Sequence, residues 1–372
     1  MPDLQPCPLT SHPHLDPSQT PCPPDGRWQF NTDVVFRSDG SLAARYHKQN
    51  LFFEKEFDTP PRLEVVTFDT PFGGRFGVFT CFDILFHDPT VRLLEKGIRQ
   101  MIFLIAWMNL LPLLTAVQIQ RAVSLGANVT LLAANLRHDS KAMTGSGIYT
   151  PSTSIYHHAF HHPGEPEEGK LLVLRIPVLD SDWLATQKGR ESPEDRGRQE
   201  ERVNLPLPQF LPSLPLPPPF NAFMAGDLFF FALLLDSEGQ LTLCDGLLCC
   251  HLQYQRSTQG GNTELYALGV FAGKHAFAGR FTLQVCALVR CSGSEVSSCG
   301  KGVEEAESRV DFRLEGKFGT RYVYPSLLGS GMVVDGPDRI EKTTDGRVTM
   351  EHSGMSVGLV TACLYGRVYD QD

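Results

Sequence analysis

Gly77-Val78-Phe79-Thr80-Cys81-Phe82-Asp83-Ile84-Leu85-Phe86 is an apolar run of β-branched and aromatic residues that carries a cysteine and is followed by a capped helix. A run of this kind bounded by turn and cap signals reads as a buried strand. Cys81 therefore falls at the carboxyl end of that strand, where an α/β sheet presents side chains at its rim. A thiol in such a place serves as a nucleophile when a nearby ammonium favours its thiolate. Lys48, in Arg45-Tyr46-His47-Lys48-Gln49-Asn50, lies just past an alternating segment and supplies a candidate ammonium.

Working outward, residues 33–36 and 42–46 alternate around Ser38-Asp39-Gly40 and read as a hairpin. Residues 63–68 read as a further strand, and 71–74 as a turn. Asp88-Pro89 is placed as an N-cap with a proline at the first helical position, with Gly97 closing that helix. Residues 101–106 form a strand, 111–125 a helix that stops at Gly126, and 130–135 another strand. Strands alternating with helices argue for an α/β layer structure.

Residues 184–222 change character: a charged run gives way to Pro206, Pro208, Pro212, Pro215 and Pro217-Pro218-Pro219. Such a stretch buries too little apolar surface to order itself and reads as a linker. Residues 228–235, 241–244, 250–254, 265–270, 281–288, 312–318 and 359–365 are short apolar or alternating runs punctuated by glycine, the pattern of a β-rich second domain. The organisation is thus an unstructured segment at 1–24, an α/β domain at 25–183, a linker at 184–222 and a β-rich domain at 223–372.

Composition limits the function. The 372 residues are 42% hydrophobic, enough for a large core divided between two domains. A net charge of −9 offers no basic face to release counterions, which argues against nucleic acid as a partner. Residues 101–117 are apolar, but Trp107, Asn109 and Pro112 interrupt them short of a membrane span. Ten cysteines are present, seven of them between Cys244 and Cys363, a clustering that suggests disulfides in the second domain and an oxidising compartment. His157, His158, His161 and His162 lack companion carboxylates or cysteines and read as a loop rather than a metal site, and no cofactor is implied. Asn128-Val129-Thr130 fits a glycosylation acceptor but opens a buried strand, so it is expected to be unmodified.

Lys48 and Cys81 recur in order with Thr80-Cys81-Phe82-Asp83-Ile84-Leu85-Phe86, Ala106-Trp107-Met108-Asn109 and Met143-Thr144-Gly145-Ser146-Gly147-Ile148. In this the chain resembles the nitrilase superfamily of carbon–nitrogen hydrolases, and within it the biotinidase and vanin branch, over residues 25–179 and from 228 onward. The resemblance implies an αββα sandwich. It implies that Cys81 forms a thioester acyl-enzyme, that Lys48 stabilises the thiolate and the oxyanion, and that the Phe82 amide is a second oxyanion donor. It implies a second carboxylate after the lysine, for which Glu54 is the match and Glu56 the substitute. Trp107, Met108, Asn109, Thr144, Gly145 and Ser146 are the implied substrate contacts.

The family's general-base glutamate precedes the lysine, and residues 1–24 contain no glutamate. They also lack the charged and apolar regions of a secretory leader. The chain is accordingly expected to be a shortened form of a secreted parent, weakly active or inactive. Residues 68–77, 111–114, 286–291 and 358–367 side with the biotinidases, implying hydrolysis of biotin amides such as biocytin and biotinyl transfer to other amines. The alternatives are hydrolysis of pantetheine and a catalytically silent binding form.

Overall fold

The computed structural model describes residues 2–7, 22–159, 169–179, 218–257, 264–275, 277 and 279–372. In the first domain, β1 (Pro2–Pro6), β2 (Arg27–Phe36) and β3 (Leu42–His47) form a three-stranded antiparallel sheet. Its second hairpin turns at Gly40, whose φ of +83° suits a residue without a Cβ. Residues 1–24 were expected to be unstructured. Instead, residues 2–6 pair with residues 27–31 of β2, and Cys7 is bridged to Cys22. The proline-rich composition concealed a strand whose Asp3 carboxylate is held by Arg45 and His47 of β3.

The second sheet has the order β4 (Thr67–Thr70), β5 (Gly74–Thr80), β6 (Gln100–Ile105), β7 (Thr130–Asn135), β8 (Ser146–Tyr149) and β9 (Ser154–His157). The central strands β5, β6 and β7 are parallel, and the outer pairings are antiparallel. Parallel strands need crossover connections. A 3-10 turn (Cys81–Leu85), a short π-helical turn (His87–Val91) and α1 (Arg92–Glu95) form the first, and α2 (Ala116–Ala127) forms the second. Gly77 lets the first crossover lie close, because a Cβ there would meet Leu93 at 2.9 Å. The expected strand at 63–68 is displaced: pairing begins at Thr67 and runs to Thr70, where the Thr70 hydroxyl closes the turn.

The expected helix at 111–125 also begins later. Thr115 accepts from the Gln118 amide while the Gln118 side chain accepts from Thr115, a capping box that starts α2 at Ala116. Gly126 does not stop it. A Cβ at Gly126 would meet Tyr324 and the Val323 carbonyl at 2.8 Å, so this glycine permits close packing against the second domain, and Asn128 at φ +55° ends the helix. Asp88 has the extended backbone of an N-cap ahead of Pro89, as expected, but its carboxylate binds the His87 and Arg92 side chains rather than a helix N–H.

The second domain is a pair of antiparallel sheets. One contains β10 (Phe220–Met224), β11 (Asp227–Leu233), β14 (Tyr266–His275), β15 (Phe281–Arg290), β21 (Leu359–Arg367), β17 (Val323–Gly329) and β18 (Val333–Val334). The other contains β12 (Glu238–Asp245), β13 (Leu248–Ser257), β16 (Arg309–Lys317), β20 (Arg347–His352) and β19 (Arg339–Lys342). Leu252, Leu268, Leu288, Leu314 and Leu364 belong to the buried core of this domain. Cys250–Cys286 joins the two sheets, Cys244–Cys249 staples the β12–β13 hairpin, and Cys291–Cys299 staples the loop after β15. The chain is therefore an α/β domain followed by a β-rich one. Much of the expected linker, 180–217, lies outside the described residues, as do His161 and His162.

Candidate active site

Lys48 leaves β3 and turns inward: its backbone N–H donates to Asn31 and its side chain is 1% exposed. A buried ammonium requires a partner. Glu54 provides it, with Lys48 Nζ 2.6 Å from Glu54 Oε2, and that carboxylate also accepts from the Asn31 side chain and the Phe52 amide. Glu56 is exposed.

Cys81 directly follows β5 in a left-handed backbone conformation, φ +50°, which an L-residue adopts at a cost. The strained turn leaves the thiol half-buried at the strand end, facing the Ala106 carbonyl at 3.9 Å. Burial pushes its pKa above the usual thiol value, the Lys48 ammonium pulls it back, and the Glu54 and Asp83 carboxylates push it up. Lys48, Glu54 and Cys81 thus share one electrostatic site. Phe82 follows in the 3-10 turn, its ring buried against Phe52 and Phe86.

Sequence reasoning missed the group that ties these two segments together. Asp83 is fully buried and accepts from Tyr46 Oη at 2.7 Å, the Asn50 N–H and Nδ2 at 2.8 Å each, and the Thr80 N–H at 3.0 Å. Its donors come from both sides of Lys48 and from the residue before Cys81, so one carboxylate fixes the lysine segment to the cysteine turn. Burial raises its pKa to about 6. Asp33 on β2 is a second unexpected carboxylate: it accepts from the Thr80 hydroxyl, and burial raises it. The available signal for Asp83 was a lone acid inside an apolar run, which demands a buried partner.

The expected substrate residues divide. The Trp107 indole is buried and donates to the Leu114 carbonyl, a packing role. Met108 is exposed, whereas the Asn109 side chain accepts from the Ala116 N–H at the start of α2. Thr144, Gly145 and Ser146 line a cleft of about 330 Å³ together with Asn135, Arg137 and His157. Cys81 does not line this cleft. The link between them is Asn135, which accepts from the Trp107 N–H, donates to the Trp107 and Thr144 carbonyls, and is the strand partner of Ile105, the residue before Ala106. Among the described residues no cluster of three metal-type ligands occurs, and no helix is long and apolar enough to cross a membrane.

With that geometry established, comparison with known proteins is informative. Residues 18–138 match the carbon–nitrogen hydrolase family, and residues 223–372 match the vanin C-terminal domain. A biotinidase from Takifugu rubripes is 57% identical over 376 residues, covering 100% of this chain and 72% of the relative. A biotinidase from Bos taurus is 44% identical, covering 94% of this chain and 68% of the relative. A pantetheinase from Homo sapiens is 40% identical, covering 100% of this chain and 67% of the relative.

Proposed function

We propose, from the premise that the chain belongs to the carbon–nitrogen hydrolase family and to its branch of biotinidases and pantetheinases, that it hydrolyses biotin amides such as biocytin. The carrying observation is the free thiol at a strained strand end, electrostatically coupled to a buried lysine–glutamate pair. Cys81 Sγ attacks the amide carbonyl, and its proton ends on the departing amine. Water then adds to the resulting thioester, releasing the acid and restoring the thiol. An amine in place of water receives the acyl group instead.

In this reading the Lys48 ammonium favours the thiolate and the oxyanion of the tetrahedral intermediate, with the Phe82 N–H as a second donor. Glu54 holds the ammonium in place through the 2.6 Å contact. Trp107 and Asn109 shape the pocket by fixing its walls, while Met108 and the Thr144-Gly145-Ser146 cleft offer contacts to substrate. The four disulfides support an extracellular setting.

Biocytin and pantetheine offered side by side test this. The expected result is slow release of lysine from biocytin in preference to cleavage of pantetheine, abolished in Cys81→Ala. Preferential cleavage of pantetheine favours the reading suggested by the 40% identical pantetheinase, and absence of turnover with retained biotin binding makes the chain a silent binding form.

A further inference from the structure

The second domain reaches the turn that follows the nucleophile through the β14–β15 hairpin. Gly279, at φ +106°, rests against the rings of Phe82 and Phe86, close enough that a Cβ there would meet both at 3.4–3.5 Å. The hairpin base is braced by several contacts: His275 pairs with Asp227 at 2.7 Å and stacks on Phe281 at 4.6 Å, and the guanidinium of Arg367 lies over the Phe281 ring at 4.5 Å. This places Phe277 at the tip, 66% exposed, with Gly226 against its Cβ.

Opposite stands Phe53, also 66% exposed and 6.4 Å from Phe277, ring edge to ring face. Its φ is +56°, a conformation that strains a bulky residue and persists where surroundings enforce it. Here the enforcement comes from the site: the Phe52 N–H donates to Glu54, and the Phe52 ring packs on Phe82, the residue after the nucleophile. Two large exposed aromatic rings from two domains thus meet at the residue next in the chain to Glu54.

We propose that Phe53 and Phe277 form an apolar wall that receives the hydrocarbon chain of the acyl group, and so set the acyl specificity of the site. The inference rests on the amide-hydrolase reading. An acyl amide with several methylenes covers both rings, whereas an acetyl amide is too short to touch them.

The test measures the full chain and its Phe277→Ala, Phe53→Ala and Phe277→Leu variants on the pentanoyl and acetyl amides of p-aminobenzoate. Phe277→Ala and Phe53→Ala are expected to raise KM for the pentanoyl amide by about tenfold, the effect of losing one ring's apolar contact, with kcat and the acetyl amide unchanged. Phe277→Leu is expected to restore most of the loss. Equal changes for both amides, or none, overturn the proposal. If the wild type cleaves neither amide, calorimetric titration of the same proteins with biotin decides the wall alone, and the hydrolase reading fails only if biocytin too is left uncleaved. Weaker binding in both alanine variants then supports it, and unchanged binding overturns it.

Discussion

Replacing Asp83 by Asn removes a titrating group from the centre of the structure and leaves its shape. The carboxyl pKa rises from 3.8 to about 6 on folding, because burial outweighs the four donors that face it. The folded chain therefore binds this proton more tightly than the unfolded one. Its contribution to stability is fully present below pH 3.8 and is lost as pH rises through 6. A rise of about two units corresponds to about 3 kcal/mol, of which about 2 kcal/mol falls between pH 4.5 and 7.5. Urea denaturation followed by tryptophan fluorescence across that interval should show the wild type losing about 2 kcal/mol relative to Asp83→Asn, other titrating groups cancelling in the difference. At pH 7.5, Asp83→Ala should cost about 3–5 kcal/mol, since buried donors of Tyr46, Asn50 and Thr80 lose their acceptor. Parallel pH profiles for wild type and Asp83→Asn, together with a loss under about 1 kcal/mol in Asp83→Ala, would refute the assignment of this carboxylate as the tie between the two segments.

Two further outcomes follow from the same geometry. Because burial raises the Cys81 thiol and Lys48 opposes it, alkylation by iodoacetamide should accelerate with pH through 9, and Lys48→Met should shift that rise to higher pH; an unshifted profile would disconnect the two groups. Gly126→Ala should destabilise the chain by about 1–3 kcal/mol, because its new methyl meets Tyr324 and the Val323 carbonyl; an unchanged denaturation midpoint would contradict the packing of α2 on β17.

The elements that sequence reveals best are those whose own residues dictate their burial. β5, β6 and β7 read directly from their apolar runs, and Lys48 and Cys81 from their positions at strand ends. The start of α2 was obscured because Leu111 to Leu114 continue the apolar pattern while the deciding Thr115–Gln118 cap is polar. β17 escaped notice since Pro325 and Gly329 punctuate it. The proline is tolerated because the neighbouring β18 pairs only with Leu328 and Gly329. Besides their local bonds, Asp83, Asp33 and Asn135 bond partners 28 to 47 positions away, and no local pattern identifies those partners. The aromatic pair depends on a contact between residues 53 and 277 that only the docking of two domains creates.

Arg367 is wholly enclosed, yet its guanidinium donates to the Leu85 carbonyl 282 positions earlier as well as to Thr282 and Asp372. The turn carrying the nucleophile is therefore completed by a residue translated 282 positions after Leu85. Synthesis and ripening of the catalytic centre are separated in time, and a nascent chain halted anywhere before this arginine holds its cysteine on an unfinished support.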